Sequence, residues 1–412
     1  MSDGLKGIKT IRDFELKGQT VFLRLDLNVP MNAKGEITDE NRIIASLPTI
    51  KYCLEHSAKL IIASHLGRPK SAEDKQFSME VVARRIGELL DIEVVLMEEP
   101  DSEGVKHVLY GPMKSQIICL ENLRFDAGEV ENSNELALAW SSYTDIYIND
   151  AFGASHRAHA SICALPDTLQ KKGIGLLVEK EIKILDGLFS NSKKPYIAVL
   201  GGSKVSDKIP VIEKLIDVVD GFVIGGAMAY TFLKAQGLPV GKSLVESEKL
   251  KYAKEMIQRI EARGKTLMLP VDHVVSTSFN DVKSMRVTSD HKINENEMGL
   301  DIGPKTIQLY TKYLSTAQTI FWNGPMGVFE TAEFSRGTFA VAEAMANNAG
   351  TKIVGGGDSA AAAAASGFAD KMTHISTGGG ASLEYLQGER LPGLEVLRAR
   401  KQSESGPSSQ AL

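Results

Sequence analysis

Cysteine is scarce. The three thiols, Cys53, Cys119 and Cys163, are too few for a disulfide framework and too widely spaced for a zinc site. They read as buried thiols of a protein from a reducing compartment. No stretch reaches the ~20 apolar residues needed to cross a bilayer, and Met1-Ser2-Asp3-Gly4-Leu5-Lys6 lacks the apolar core of a secretory leader. A cytoplasmic setting without a membrane partner is expected. Basic charge is not in excess either: 47 Lys and Arg face 52 Asp and Glu, which excludes a general attractive field for nucleic acid. Any anion site must be built locally.

Familiar nucleotide motifs are also missing. Gly237-Leu-Pro-Val-Gly241-Lys242-Ser243 has one residue too few between its glycines for a Walker loop and follows a helical stretch instead of a strand. It reads as a loop. Gly355-Gly356-Gly357-Asp358-Ser359-Ala360 fits a loose dinucleotide fingerprint, but Thr377-Gly378-Gly379 stands where an acidic residue for the ribose belongs. Asp150-Ala-Phe-Gly has no partner H-R-D loop, which excludes a protein kinase.

What is present is regular. At 412 residues the chain exceeds what one core usually supports, so two domains are expected, and 43% apolar with 24% charged residues is ordinary for globular structure. Short aliphatic runs at Val21 to Leu25, Leu60 to Ala63, Val94 to Met97, Gln116 to Leu120 and Asp145 to Ile148 alternate with amphipathic stretches such as Met79 to Leu90. The pattern restarts at Tyr196 to Leu200 and continues through Gly221 to Ile224, Thr266 to Leu269, Thr319 to Trp322, Lys352 to Val354 and His374 to Ser376. Such alternation predicts an α/β fold of two doubly wound parallel-sheet, Rossmann-like lobes. The expected division is 1–177, an interdomain helix and hinge over 178–190, and 191–385. Residues 386–400 are expected to pack back on the first lobe, and 401–412 to form a disordered tail.

In open parallel sheets, ligands bind beyond the carboxyl ends of the strands, so those ends carry the functional reading. The first half ends its strands in Arg24-Leu-Asp26-Leu-Asn28, Ser64-His65-Leu-Gly67-Arg68, Glu121-Asn122-Leu-Arg124 and Asn149-Asp150-Ala-Phe-Gly-Ala-Ser-His156-Arg157-Ala-His159. Arginine grips carboxylate or phosphate bidentately and stays charged when desolvated. One such arginine is explained equally well by a structural ion pair with Asp26, Glu121 or Asp150. Four strand ends together call for an anionic substrate. The second half instead ends its strands in glycines: Gly201-Gly202, Gly225-Gly226, Gly324-Pro-Met-Gly327, Gly355-Gly356-Gly357 and Gly378-Gly379-Gly380. Glycine lets phosphate approach the backbone, where a following helix offers free N–H groups. Lys204 and Lys208 read as one face of a helix behind Gly201-Gly202. Asp358 reads as a magnesium ligand, direct or through water, as a helix N-cap, or as both.

Taken together, Arg24-Leu-Asp-Leu-Asn-Val-Pro30, Ser64-His-Leu-Gly-Arg-Pro69, Glu121-Asn-Leu-Arg-Phe125, Leu200-Gly-Gly-Ser-Lys-Val-Ser-Asp-Lys208, Met298-Gly-Leu-Asp-Ile-Gly-Pro304, Trp322-Asn-Gly-Pro-Met-Gly-Val-Phe-Glu330 and Gly355-Gly-Gly-Asp358 resemble the phosphoglycerate kinases, in order and spacing, from about residue 8 to residue 394. Ala227, Met326 and Glu389 are small departures. The resemblance implies that Asp26, Leu27, Asn28, Arg42, His65, Leu66, Gly67, Arg68, Arg124 and Arg157 hold 3-phosphoglycerate or its acyl phosphate. It further implies that Gly202, Lys204, Lys208, Gly225, Gly226, Gly299, Leu300, Asn323, Pro325, Val328, Glu330, Gly355, Gly356, Gly357, Asp358 and Ser359 hold Mg-ADP or Mg-ATP, with Glu330 on the ribose. Arg42, Lys204, Gly356 and Gly357 are the expected catalytic groups, and a monomer is the default state. A carboxylate needs no general base to act as nucleophile, so positioning and charge neutralisation suffice. The rival readings are an NAD-dependent dehydrogenase using the Gly355 turn and a non-catalytic nucleotide-binding protein.

Overall fold

A computed structural model describes residues 4–99, 102–110 and 117–399. The tail expected over 401–412 lies outside the described residues. The chain divides into two compact units, Met1–Ile182 with Arg390–Leu412, and Lys183–Glu389. The division falls inside the helix Leu176–Ser190.

The first unit is built on six strands, β1 (Thr20–Leu25), β2 (Lys59–Ala63), β3 (Val94–Met97), β4 (Ile117–Leu120), β5 (Ile146–Asp150) and β6 (Lys172–Ile174), in the order β3-β4-β2-β1-β5-β6. All its pairings are parallel. Every residue of β1 and of β5 is buried, because helices cover both faces of a parallel sheet and leave no polar side. The short edge strand β6 was not expected from the sequence: Lys172-Gly173-Ile174 is too brief to show a period. Cys53 and Cys119 are buried, but Cys163 is only partly so, which corrects the expectation of three buried thiols.

The second unit carries a sheet of six further parallel strands: β7 (Tyr196–Leu200), β8 (Gly221–Ile224), β9 (Thr266–Met268), β13 (Thr319–Asn323), β14 (Thr351–Val354) and β15 (His374–Ile375), ordered β15-β14-β13-β7-β8-β9. Between β9 and β13 the chain forms an antiparallel sheet of β10 (His273–Ser276), β11 (Arg286–Val287) and β12 (Met298–Ile302). An all-parallel reading did not foresee it, since strands of two to five residues leave almost no alternation to detect. The chain doubles back at β7 and β13, so the loops after these two neighbours diverge and open a crevice. No helix among the described residues is long and apolar enough to cross a membrane.

At 390–399 the chain returns to the first unit. The Gly393 amide donates to the Ser155 carbonyl at 2.9 Å, Asn149 Nδ2 donates to the Gly393 carbonyl at 3.2 Å, and the Ala399 amide donates to the Gly7 carbonyl at 3.0 Å.

His273 in β10 is fully buried, and burial depresses its imidazole to about 4, from an ordinary 6.5. In this window the unfolded chain binds a proton that the folded chain refuses. The contribution to stability is therefore complete above pH 6.5 and is lost as pH falls toward 4, by roughly 3 kcal/mol in all. Urea midpoints measured from pH 7 to 4.5 should fall less steeply for His273→Asn than for the parent protein. Identical slopes would show that the histidine is not held neutral.

Candidate functional site

The carboxyl ends of β1, β2, β4 and β5 bring the basic groups of the first unit together. Arg68, Pro69, Arg124, Val130, Arg157 and His159 line an open recess of about 330 Å³. Its walls are held by side chain to backbone hydrogen bonds. Asn122 Nδ2 donates to the Leu66 carbonyl at 2.7 Å while its Oδ1 accepts the Leu66 amide at 3.2 Å, and Asn28 Oδ1 accepts the Gly67 amide at 2.7 Å. Arg124 donates from one terminal nitrogen to the Gly67 carbonyl at 2.7 Å, which fixes the direction of its guanidinium, while its buried Nε has no partner. Burial and the neighbouring Arg157 and Arg24 lower this guanidinium to about 10. A desolvated cation beside other cations is an expensive arrangement unless an anion completes it.

The sequence placed Arg24 among these ligand-gripping ends, but the structure sends it into the core. It is fully buried, donates to Ser161 Oγ at 2.8 Å and lies 3.9 Å from the buried Glu129 carboxylate. Arg24 also faces His65 Nδ1 at 3.2 Å. A guanidinium only donates, so His65 Nδ1 accepts and its proton resides on Nε2. Burial, then repulsion from Arg24, Arg124, Arg157 and Arg42, holds His65 well below its usual range, so at neutral pH it is an uncharged donor. His159 is lowered to about 4 for the same reasons, burial first and then Arg124.

Of the three carboxylates that offered a structural ion pair, only Asp26 takes an arginine: it bonds Arg42, which lies in the first turn of the helix Asn41–Glu55. Glu121 instead accepts the Met79 amide at 2.7 Å, and Asp150 accepts the amides of Leu177 and Val178 at 2.9 and 3.1 Å. Among the described residues Arg68, Arg124 and Arg157 form no salt bridge. Leu27 and Leu66 are buried, and their amides are taken by Ser64 Oγ and Asn122 Oδ1. These two hold the loops and do not offer donors to the recess.

In the second unit a pocket of about 230 Å³ opens at the β7/β13 crevice. Gly202, Gly226, Gly299, Leu300, Pro325, Val328, Glu330 and Asp358 line it, together with Ser203, Ala227, Tyr230, Leu244, Phe279, Met298, Met326 and Gly327. Leu244 and Phe279 are half exposed, at 55% and 49%, and give the pocket an apolar edge suited to a flat ring. Sequence reading missed both, since each lies in a loop with no periodicity; their large apolar surface in solvent is visible only in three dimensions.

Lys204 and Lys208 do not share a helix, contrary to the sequence reading. They lie in the turn before the helix Ile209–Leu215, whose early Pro210 suits a helix start. Lys204 is exposed. Lys208 is partly buried, which lowers its ammonium, and donates to Asn323 Oδ1. Asn323 Nδ2 in turn donates to the Gly355 carbonyl at 2.5 Å, and Ser359 Oγ accepts the Gly324 amide at 2.6 Å. These bonds tie the ends of β7, β13 and β14 into one cradle. Gly225 packs against Met326 below the pocket.

The N-cap of the helix Gly357–Ala365 is Gly356, at φ 91°, so Asp358 sits in the first turn and is not the cap. Its carboxylate is exposed at the pocket and makes no hydrogen bond or salt bridge among the described residues. Nor do the described residues contain three clustered metal-ligating side chains. A lone carboxylate beside a phosphate cradle fits magnesium, which keeps its waters and takes one or two carboxylates plus substrate phosphates.

Comparison with known proteins shows which family the chain resembles over its length. The phosphoglycerate kinase family model matches residues 11–389. The chain is 66% identical over 400 residues to the phosphoglycerate kinase of Bdellovibrio bacteriovorus, covering 97% of this chain and 100% of that one. It is 47% identical over 391 residues to that of Clostridium botulinum, covering 94% and 98%. The solved phosphoglycerate kinase of Coxiella burnetii superposes with a TM-score of 0.84 at 40% identity, over 95% of this chain and 98% of that one. That of Pyrococcus horikoshii gives 0.80 at 34% identity, over 94% and 98%.

Proposed function

The chain belongs to the phosphoglycerate kinase family, and from that premise we propose that its arginine recess and its glycine pocket are the two half-sites of the family's reaction. The enzyme transfers a phosphoryl group reversibly between 1,3-bisphosphoglycerate with MgADP and 3-phosphoglycerate with MgATP, the acceptor being a carboxyl group. It is a glycolytic phosphotransferase, which retires the dehydrogenase and non-catalytic readings. The observation that carries the assignment of the half-sites is the convergence of Arg68, Arg124 and Arg157 on one recess without a carboxylate among them. A coupled assay of ATP-dependent acyl phosphate formation tests the activity, and folded protein without turnover would overturn it.

Arg68, Arg124 and Arg157 neutralise the phosphate of 3-phosphoglycerate, and His65 donates from Nε2. Asn28 and Asp26 shape the wall beside them. Arg42, released from Asp26, turns to the transferring group from the substrate side. On the nucleotide side Lys204 does the same, while Lys208 and Asn323 hold the phosphate loop and the amides of Gly356 and Gly357 donate to phosphate oxygens at a helix N-terminus. Glu330 takes the ribose hydroxyls. Asp358 would hold magnesium, which would shield the nucleotide's phosphate charge. Neither the acid nor the base of a proton relay is required, consistent with histidines held neutral. A cytoplasmic monomer is the setting this reading takes.

Arg157→Ala should raise the dissociation constant for 3-phosphoglycerate about tenfold or more, the worth of a charged hydrogen bond, with little effect on MgADP. Calorimetric titration with each ligand checks this, and an unchanged 3-phosphoglycerate affinity would remove Arg157 from the site. The two ligands occupy different units, and reacting atoms must come within about 3–3.5 Å for transfer. Closure of the units is therefore part of the proposed cycle. Solution scattering should show compaction only with both ligands present; profiles that coincide in every ligand state would refute it.

A further inference from the structure

Asp301, in β12, is the buried carboxylate whose setting the reaction leaves unexplained. It is 1% exposed and meets no cation among the described residues; burial pushes it up to about 7, against the pull of two amide donors. Those donors are the Gly337 amide at 2.7 Å, in the first turn of the helix Arg336–Asn347, and the Ile302 amide at 2.8 Å. The fit around it is close on both sides, since a Cβ added to either Gly327 or Gly337 would overlap Asp301 Oδ1. One residue along the same helix, Thr338 Oγ1 accepts the Met326 amide at 3.0 Å and the Gly327 amide at 3.3 Å. The loop 325–328 is thus bonded from behind by Thr338, while Asp301 abuts it at Gly327 and anchors, through the Gly337 amide, the helix that carries Thr338. The loop is pinned from the front as well: the Val328 amide donates to the Leu300 carbonyl and the Met326 carbonyl accepts the Gly226 amide, each at 2.9 Å.

A buried carboxylate with amide donors but no cation is costly where an apolar side chain would pack as well. Neither Asp301 nor Thr338 lines the pocket, but the loop that Thr338 bonds and Asp301 backs does. We propose that Asp301, together with Thr338, is a positioning residue that fixes the 325–328 wall of the nucleotide pocket and so sets affinity for the nucleotide without touching it. The inference rests on the nucleotide reading of that pocket. It separates nucleotide binding from acceptor binding, which a general contribution to stability does not.

The test uses the full chain and two near-isosteric variants, Asp301→Asn and Thr338→Val, each titrated calorimetrically with MgADP and, separately, with 3-phosphoglycerate. Each variant removes the preferred acceptor of a loop or helix amide, so the MgADP dissociation constant should rise about tenfold in each. The 3-phosphoglycerate constant should stay within twofold of the parent value, with the Michaelis constant for nucleotide rising in parallel. Nucleotide affinity unchanged in both variants would overturn the inference while leaving the pocket assignment standing, as would a lowered thermal transition accompanied by equal losses for both ligands. Failure of the parent enzyme to bind MgADP would overturn the pocket assignment itself, and the inference with it.

Discussion

Lys204→Ala is expected to turn over roughly 10²–10³ times more slowly than the parent enzyme while folding normally, because it removes one charged donor from the transferring group. The side chain is exposed, so its loss opens no cavity. Its loop is anchored independently, with Ser206 Oγ and amide donating to the Glu246 carboxylate at 2.5 and 3.0 Å. Arg42→Ala should show a loss of similar size from the opposite half-site. It leaves the buried Asp26 carboxylate with the Asn28 amide at 3.4 Å, so a lowered thermal transition is expected beside the lost turnover. Single-turnover rates at saturating ligand are the decisive measurement. Near-normal rates in either variant would remove that residue from the transition state.

Gly226→Ala should cost the enzyme its nucleotide and spare its other substrate. Gly226 adopts φ +65°, and an added Cβ would lie 2.5 Å from the Gly202 nitrogen and 2.6 Å from the Gly202 oxygen. Both neighbours are backbone of the facing glycine turn and cannot rotate away as a side chain would. Strain of 1–3 kcal/mol plus displacement of that turn gives an expected loss of MgADP affinity of roughly 10²-fold. Affinity for 3-phosphoglycerate, which the other unit binds, should be unchanged. Retention of MgADP affinity would show that the two turns do not form the nucleotide cradle.

The strands were legible because burial on both faces makes parallel strands read as apolar runs, as in Val21 to Leu25 and Tyr196 to Leu200. Their ends were legible because strand-to-helix turns concentrate glycine and because charge after an apolar run has few places to go. The antiparallel insertion of β10 to β12 was not legible. Its strands are short, and their pairing joins residues far apart in sequence, such as His273 with Ile302. The apolar rim of Leu244 and Phe279 was likewise invisible, since nothing local distinguishes an apolar residue in a loop that is covered from one that is not.

Sequence by itself determined the partition of the chemistry: arginines after the strands of one sheet, glycines after the strands of the other. That information is local, written in residue order within each strand and turn. Only the tertiary structure decided which of those groups are available. Arg24 is spent in the core on Ser161, 137 residues away, whereas Arg124, from an equally placed strand end, keeps an unpaired Nε beside the recess. Lys208 bonds Asn323 across 115 residues, and Asp301 reaches Gly337 across 36. Whether a charge is a ligand, a strut or a cost depends on what desolvates it and what meets it. Packing between distant segments sets both.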